Sequence, residues 1–453
     1  MPQRADRPGM FSERGVFMSR IRLVLVPLVV AGLSFGIAAC GDDDSSDDSS
    51  SSGGGETSLD MTIGVSLPLS GDLADFGPPG EKAADLAISE INAAIDEVGV
   101  DHTIEAVKED NCGAADPQCA VQAQRKLATS DGASCIAGPW GSADTIPSGE
   151  SVSVPEEVPL ISPSATSDEI TGLDDDGFVS RTSPPDSFQG PTLANFMDEE
   201  LGGAEGKTVN IGARNDAYGT GLAKTFSDAW EGLGGSIGEE VIYDIDLPSY
   251  DTEADQITSG NPDAIVIIDF PETFNKVGPA LARTGNFDPK TAFVTDGLIS
   301  SDVIESAGAE ATVGLRGTAP GVPDDETQAK AFDEAYTAAE PADVDRMTFD
   351  AQNFDAVVIC YLAAVAAGSA EGADLASSIQ TVSAPPGDPY TWEELPQAIE
   401  ALQNGDDIDY QGASGAIDMD DAGDATAGVY DIYTFDAKEV APTDEVEVAA
   451  PGS

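Results

Sequence analysis

Thr62-Ile-Gly-Val-Ser-Leu67 is a short apolar run, and it gives way to helical spacing from Gly80 to Val98. In that second segment apolar residues recur every three or four positions, which is typical of a helix with one buried face. The next run, Thr103 to Val107, predicts another strand. A strand, a crossover helix and a further strand indicate a parallel sheet covered by helices.

This alternation continues along the chain and restarts after Pro184-Pro185. From Leu315 the chain is rich in helices, and it ends in a hairpin-like pair, Gly415 to Met419 and Val429 to Phe435. We therefore predict an α/β fold of two doubly wound parallel-sheet lobes. The segment from Leu315 onward, the third block of the chain, is predicted to return and complete both lobes. The later strands are predicted at Ser134 to Ala137, Pro159 to Ile161, Thr208 to Ala213, Glu240 to Tyr243, Ala264 to Asp269 and Ala292 to Thr295.

The N-terminal segment resembles a bacterial lipoprotein signal. Arg20 and Arg22 precede an apolar run from Leu23 to Val30, and small residues then lead to Cys40. An uncleaved membrane anchor is the alternative, but the run contains Pro27 and is short for a span of about 20 residues. We expect Cys40 to carry lipid.

Cleavage would remove residues 1–39 and leave everything after them outside the cytoplasmic membrane. A start at Met18 would give a more ordinary signal than Met1, and the sequence leaves both starts open. Residues 40–59 are acidic and rich in Ser and Gly, which predicts a tether without a core.

The composition is strongly acidic, with 83 Asp and Glu against 20 Lys and Arg and a formal net charge of −63. Binding to nucleic acid depends on Lys and Arg that neutralise phosphate, so a nucleic-acid function is excluded. We interpret the charge as a solvated coat suited to high salt or high pH outside a cell. The 453 residues suffice for two lobes with sizeable cores.

Four cysteines besides Cys40 fit an oxidising compartment. Cys112 and Cys119 flank a turn-like loop and are predicted to form a disulfide. Cys135 falls in an apolar strand and Cys360 in an apolar helix, where buried thiols and a second bridge both fit. A single histidine offers no zinc ligand cluster, and we expect no metal or cofactor.

Ligands of open parallel sheets bind beyond the carboxyl ends of the strands. One such loop is Gly138-Pro-Trp140-Gly-Ser142, in which Ser142 is placed to cap the following helix and to meet a carboxylate. The next is Ser162-Pro-Ser164-Ala165-Thr166, which supplies hydroxyls and backbone groups. Thr166 and Glu169 also have capping-box spacing, a purely structural alternative.

In the second half, three more residues follow predicted strands. Tyr218 brings an aromatic ring to the sheet edge, and Phe270 brings another. Asp296 places a carboxylate where a ligand ammonium group could reach it, and that pairing would be strong only if the lobes exclude water.

Taken together, these loops resemble those of the branched-chain amino acid (Leu/Ile/Val) binding proteins, which are substrate-binding components of ABC importers. The resemblance runs from about Met61 to Phe435. It is carried by Ser70-Gly71-x4-Phe76-Gly77, Ile136-Ala-Gly138-x3-Ser142, Ile161-Ser-Pro-Ser164-Ala-Thr166, Arg181-Thr182, Gln189-Gly190 and Tyr218-Gly-x-Gly-Leu.

The resemblance implies a type I periplasmic-binding fold, in which two lobes joined by three crossover segments close on a ligand. The ligand ammonium would meet Thr166 and Asp296, and Tyr218 would close over it. The ligand carboxylate would be held by Ser142, the backbone of Ser164 and Ala165, and Thr166.

Four residues leave the identity of the expected ligand open. Phe76 stands where the family often has Tyr or Trp, and Phe270 aligns with a Tyr. Asp296 is one methylene shorter than the usual Glu, and Trp140 could narrow the pocket. Amides, urea-like compounds and other small acids therefore stay candidates beside amino acids.

We expect a monomeric, lipid-anchored binding protein outside the cytoplasmic membrane that passes an amino acid-like ligand to an ABC permease and catalyses no reaction. A sensor on the same fold, a surface hydrolase and a structural acidic coat protein are the alternatives. A single early histidine and the lack of a Gly-x-Ser-x-Gly elbow argue against the hydrolase.

The predicted divisions are a signal peptide at 1–39, a tether at 40–59, lobe 1 at 60–183 plus 319–414, lobe 2 at 184–318 plus 415–440, and a flexible tail at 441–453.

Overall fold

The computed structural model describes residues 58–323 and 327–449. The signal peptide, the lipid attachment at Cys40 and almost all of the tether lie outside these residues. The described strands are β1 (Leu59–Leu67), β2 (His102–Asp110), β3 (Cys135–Ala137), β4 (Leu160–Ser162), β5 (Val179–Arg181), β6 (Thr208–Arg214), β7 (Ser236–Tyr243), β8 (Ala264–Ile268), β9 (Ala292–Thr295), β10 (Arg316–Pro320), β11 (Asp388–Thr391), β12 (Ile408–Gly412), β13 (Gly415–Ala416), β14 (Ala427–Phe435) and β15 (Val440–Ala449).

Helices alternate with these strands and make up most of the third block. The α-helices are α1 (Gly77–Val98), α2 (Pro117–Thr129), α3 (Ser142–Ser148), α4 (Val154–Glu156), α5 (Asp168–Thr171), α6 (Asp186–Leu201), α7 (Ala217–Gly232), α8 (Asp251–Ile257), α9 (Pro271–Thr284), α10 (Asp302–Ala307), α11 (Ala309–Thr312), α12 (Thr327–Ala338), α13 (Asp350–Ala367), α14 (Gly372–Val382) and α15 (Leu395–Asn404).

The first lobe is built on a five-stranded parallel sheet of order β2-β1-β3-β4-β5. The strand order reverses between β1 and β3, and the crevice beyond the carboxyl ends of strands at such a point is where open sheets bind ligands. Helix α13 returns to this lobe and shares its core with β1 and α1. By length and composition α13 could cross a membrane, but 89% of it is buried inside the fold, as expected of a core helix.

The second lobe is built on a seven-stranded sheet of order β15-β14-β10-β9-β8-β6-β7. Its strands from β6 to β10 are parallel, and β14 and β15 are antiparallel additions at one edge. The carboxyl ends of β6, β8 and β9 carry the loops with Tyr218, Phe270 and Asp296.

Two disulfides tie the first lobe. Cys112 and Cys119 are joined across the loop between β2 and α2, as the sequence predicts. Cys135 of β3 and Cys360 of α13 form the second bridge, so the pair that the sequence left open is covalently linked across the core.

Two predictions about the C-terminal region are wrong. Gly415–Ala416 pairs with β12 in a small third sheet, whereas β14 pairs with β10, so the predicted hairpin partners belong to different sheets. Residues 441–449 form most of β15 and are not a flexible tail. Most of their side chains are exposed, and polar residues interrupt the apolar ones, which hides the strand from a hydrophobicity pattern. The limits proposed for the lobes stay a prediction.

Candidate functional site

Hydrogen bonds between the loops after β3 and β4 build the first wall of the site. The Ser162 hydroxyl donates to the carbonyl of Pro139 at 2.6 Å and accepts from the N–H of Ala165 at 3.0 Å. The Ser164 hydroxyl donates to the carbonyl of Trp140 at 2.8 Å. These bonds fix the two loops against each other, so their side chains can act on one ligand.

Gly138 permits the sharp turn that begins the first of these loops. Its φ is +101°, and an added Cβ would lie 2.3 Å from the carbonyl oxygen of Ser66. Only glycine tolerates both conditions, so the sequence dictates this approach of the loop to β1.

Ser142 has a different local role from the predicted one. Helix α3 begins at Ser142, and its N-cap is Gly141, so the serine side chain caps nothing. Its oxygen accepts from the N–H of Ser167 at 3.2 Å. The hydroxyl proton therefore remains for a ligand acceptor such as a carboxylate.

Thr166 is likewise not a helix cap. The N-cap of α5 is Ser167, whose hydroxyl accepts from the N–H of Glu169 at 3.3 Å, so the predicted capping box between Thr166 and Glu169 is wrong. Thr166 is fully buried, and its hydroxyl has no hydrogen-bond partner within the described ranges. An unpaired buried hydroxyl is costly, which favours a role toward a ligand.

Tyr218 and Asp296 form the polar part of the second wall. The Tyr218 hydroxyl donates to Oδ1 of Asp296 at 2.9 Å and lies 2.7 Å from the hydroxyl of Thr295. The N–H of Gly297 donates to the Tyr218 oxygen at 3.2 Å. This network holds the carboxylate of Asp296 in one orientation at the end of β9.

Aromatic stacking positions Tyr218 over the site. Its ring lies parallel to that of Phe270, with centroids 4.8 Å apart and an interplanar angle of 9°. An added Cβ at Gly297 would lie 2.6 Å from the carbonyl oxygen of Asp269 and from the Phe270 ring, so glycine is required where the two loops meet. The guanidinium of Arg214 stacks on Phe270, with Cζ 3.9 Å from the ring centroid.

The two walls line a space of about 300 Å³, which includes space open to solvent. Seven of the nine predicted ligand residues line it, and Ala165 and Thr166 do not. Ala165 has its N–H bonded to Ser162 and its carbonyl bonded to Arg181, so its backbone is already engaged. The seven are Phe76, Trp140, Ser142, Ser164, Tyr218, Phe270 and Asp296.

The cavity also has lining residues outside the predicted set of nine: Leu73, Gly141, Gly297 and Phe349. Phe349 packs against Trp140 edge-to-face at 6.4 Å and against Phe76 at 6.5 Å. It precedes α13 with a left-handed φ of 75°, a conformation that only the tertiary structure imposes. These three rings form an apolar part of the cavity wall.

A wider opening, about 1,420 Å³ including solvent, lies between Ile299–Asp302 and Arg346–Asp350 and shares Phe349 with the smaller cavity. None of the nine predicted residues lines it. The smaller cavity is the better ligand site, because it lies where the carboxyl ends of both parallel sheets meet.

Burial changes the pKa of the acidic residue in the cavity. It raises the pKa of Asp296 to about 6, against the opposing hydrogen bonds from Tyr218 and Gln189. Burial, together with the charge of Asp296, also raises the pKa of Tyr218 well above its ordinary value, so Tyr218 is a neutral hydrogen-bond donor. A cationic ligand group would stabilise the ionised form of Asp296.

Arg181 positions the second loop from behind. Its Nη1 donates to the carbonyls of Ala165 at 3.1 Å and Ser167 at 2.9 Å, and its Nε pairs with Asp424 at 2.7 Å. The buried ion pair thereby links the residues before β14 to the loop that carries Thr166.

An ion pair joins the two lobes beside the cavity. Arg214, at the end of β6, pairs with Asp72 of the first lobe at 2.9 Å. It also pairs with Asp216 and lies 3.8 Å from Asp269, both in the second lobe. In the described part of the chain, no group of three His, Cys, Asp or Glu side chains is placed to hold a metal ion.

Two α/β lobes that meet around a cavity lined by hydroxyl, acidic and aromatic side chains define a bilobed solute-binding protein. The chain belongs to the periplasmic binding protein family, whose model matches residues 60–438.

Two curated relatives differ in what their names describe. The chemotactic signal transduction system substrate-binding protein BasB of Halobacterium salinarum is 27% identical over 79% of this chain and 83% of its own. The Leu/Ile/Val-binding protein of Citrobacter freundii is 32% identical over 37% of this chain and 43% of its own, so that match spans less than half of the relative.

Solved structures share the fold. The branched-chain amino acid transporter substrate-binding protein LivJ of Streptococcus pneumoniae, in complex with isoleucine, has a TM-score of 0.68 and 24% identity, and covers 86% of this chain and 99% of its own. A Rhodopseudomonas palustris solute-binding protein in complex with benzoate has a TM-score of 0.64 and 18% identity, and covers 86% of this chain and 97% of its own.

Proposed function

We propose that this protein captures a small amino acid, a branched-chain amino acid first, between its two lobes and delivers it to an ABC permease. The observation that carries the proposal is that Ser142 of the first lobe faces the same cavity as Tyr218 and Asp296 of the second. We further propose that the protein works outside the cytoplasmic membrane as a lipid-anchored monomer, attached through Cys40.

The roles of the groups follow from their chemistry. The Ser142 hydroxyl donates to the ligand carboxylate, and Asp296 accepts from the ligand ammonium group. An aliphatic side chain then lies against Phe76, Trp140 and Phe349, where each buried methylene contributes about 0.8 kcal/mol. Because the contacts come from both lobes, ligand binding shifts the population toward the closed form.

A thermal-shift panel tests this proposal. L-Leucine, L-isoleucine and L-valine should raise the melting temperature, because a ligand at 100 times its Kd stabilises the folded state by about 2.7 kcal/mol. The matched controls are 4-methylpentanoic acid, which lacks the ammonium group of leucine, and 3-methylbutylamine, which lacks the carboxylate. A panel in which no amino acid shifts the melting temperature would refute the proposal.

A sensory role is the second candidate, and the similarity to BasB over most of the chain favours it. In that case the closed, ligand-bound form signals to a membrane receptor instead of a permease. A deletion strain separates the two roles: loss of amino acid uptake supports transport, whereas loss of chemotaxis toward the same amino acid with normal uptake supports sensing.

A further inference from the structure

Close to Asp296, the fold buries a group of polar atoms that have no hydrogen-bond partners in the described residues. They are both carboxylate oxygens of Asp186 and the side-chain oxygens of Thr166, Gln189 and Tyr430. All four side chains have no exposed surface. Most buried polar atoms in proteins are hydrogen-bonded, so five unpaired ones in one place need an explanation.

Independent contacts place these side chains together. The N–H of Asp186 donates to the carbonyl of Thr166 at 2.7 Å. Asp186 and Gln189 lie three residues apart in the first turn of α6 and therefore share one face of it. Nε2 of Gln189 donates to the carbonyl of Thr318 at 2.9 Å, and Thr318 pairs with Thr295, the residue before Asp296. Tyr430 of β14 pairs with Pro320, two residues beyond Thr318 on β10.

The carboxylate of Asp186 lacks a neutralising partner. Burial raises its pKa well above the ordinary value, and the charges of Asp296 and Asp168 add to the effect. The adjacent Thr166 hydroxyl, although it forms no hydrogen bond of normal geometry, and the charge of Arg181 act in the opposite direction. Arg181, however, is already paired with Asp424 at 2.7 Å. A cation placed between Asp186 and Asp296 would stabilise the ionised form of both buried acids.

We propose that Asp186 is a second acidic contact for the ligand ammonium group, which lies between Asp186 and Asp296. This inference rests on the proposed function and deepens it. A primary ammonium has three N–H donors. Asp186, Asp296 and either the Thr166 hydroxyl or the Gln189 carbonyl oxygen supply three acceptors, and Tyr430 is available to donate to Asp186.

The arrangement gives the site a preference for primary ammonium groups. An N-methylated amino acid has one donor fewer and a methyl group in its place, so one buried acceptor stays unpaired. Asp186 and Thr166 do not line the cavity in the present structure. The contact therefore forms in the ligand-bound state, after the ammonium group enters between α6 and the loop of Thr166.

Calorimetry with L-leucine and N-methyl-L-leucine tests the proposal on the wild type, on Asp186→Asn and on a matched control, Glu199→Gln. Glu199 is an exposed acid on the same helix. We expect Asp186→Asn to weaken L-leucine binding about 10- to 100-fold, as the loss of a hydrogen bond to a charged group implies. Glu199→Gln should bind as the wild type does. The wild type should prefer L-leucine over its N-methyl form, and Asp186→Asn should reduce that preference.

Three results would overturn the inference. The first is wild-type L-leucine affinity in Asp186→Asn while the wild type itself binds, which leaves the proposed function intact. The second is equal affinity of the wild type for L-leucine and its N-methyl form. This comparison needs only the wild type, so it remains a valid test even if Asp186→Asn does not fold. The third is a wild type that binds no amino acid of the panel, which refutes the proposed function as well.

Discussion

At the scale of single residues, Gly80 and Trp140 show how a missing side chain shapes the ligand cavity. An added Cβ at Gly80 would lie 2.3 Å from Cζ2 and 2.8 Å from Cη2 of Trp140, so the indole rests directly on the backbone of α1. Gly80 has no positive φ, and alanine would normally be favoured by about 1 kcal/mol at a helix position.

We predict that Gly80→Ala lowers the free energy of unfolding by about 1–3 kcal/mol, because the methyl group forces the indole out of place. Gly232→Ala is the control. Gly232 is the last residue of α7, and an added Cβ there meets no atom within 4 Å. Chemical denaturation should show Gly232→Ala at or above wild-type stability. Equal stability of the two variants would contradict this packing argument.

The residue scale also shows what a sequence pattern can and cannot predict. The loops with Ser142, Tyr218 and Asp296 follow strands, and strand ends in parallel sheets converge, so their meeting was predictable. The local roles of Ser142 and Thr166 were not predictable. The N-caps of α3 and α5 are the neighbouring residues Gly141 and Ser167, and a sequence pattern does not locate a helix start to within one residue.

At the scale of elements, the ion pair between Asp72 and Arg214 is a direct polar link between the lobes next to the cavity. Asp72 is 13% exposed, whereas Arg214 is fully buried and keeps Asp216 as a second partner within its own lobe. Loss of Asp72 should therefore affect closure more than the integrity of either lobe.

We predict that Asp72→Asn weakens ligand binding about fivefold, which corresponds to about 1 kcal/mol for a partly exposed pair. Asp60→Asn, the same change at an exposed acid of β1, should leave affinity unchanged. Calorimetry gives the affinities, and small-angle scattering gives the degree of closure with and without ligand. A fall in affinity of the same size in both variants would indicate a general charge effect instead of a closure link.

Elements that follow hydrophobic periodicity were predictable, and the ones that depend on partners were not. β1 and α1 could be read from their spacing because each buries one face or both. β15 exposes most of its residues and exists because β14 offers a free edge, which no local pattern encodes.

For the whole molecule, burial of several acids makes stability depend on pH. Burial raises the pKa of Asp144 and Asp269 to about 7 and that of Asp355 to about 6. The folded protein therefore keeps protons that the unfolded chain releases above about pH 4. Stability gained from these protonated acids is fully present below the unfolded pKa and is lost as the pH rises through the folded pKa.

We predict that the free energy of unfolding of the ligand-free protein falls between about pH 4 and pH 7. The net charge of −63 acts in the same direction through self-repulsion, but 1 M salt screens exposed charges far more than buried ones. Denaturation curves at 1 M NaCl should still show the fall. Stability that rises over this range at high salt would contradict the assignment.

The whole fold was the most predictable level, since alternation of strands and helices is local and repeats in two runs. The return of the third block was predicted in outline only. That α13 completes the first lobe depends on its packing against β1 and on the bridge from Cys135 to Cys360.

The most direct measurement is a calorimetric titration of Ser142→Ala and Asp296→Asn with the amino acid that raises the melting temperature most. If one zwitterion is held by both lobes at once, each variant should bind about 10- to 100-fold more weakly than the wild type, although the two residues lie in different lobes. Wild-type affinity in either variant would show that its lobe does not contact the ligand's charged groups, and would contradict the shared site.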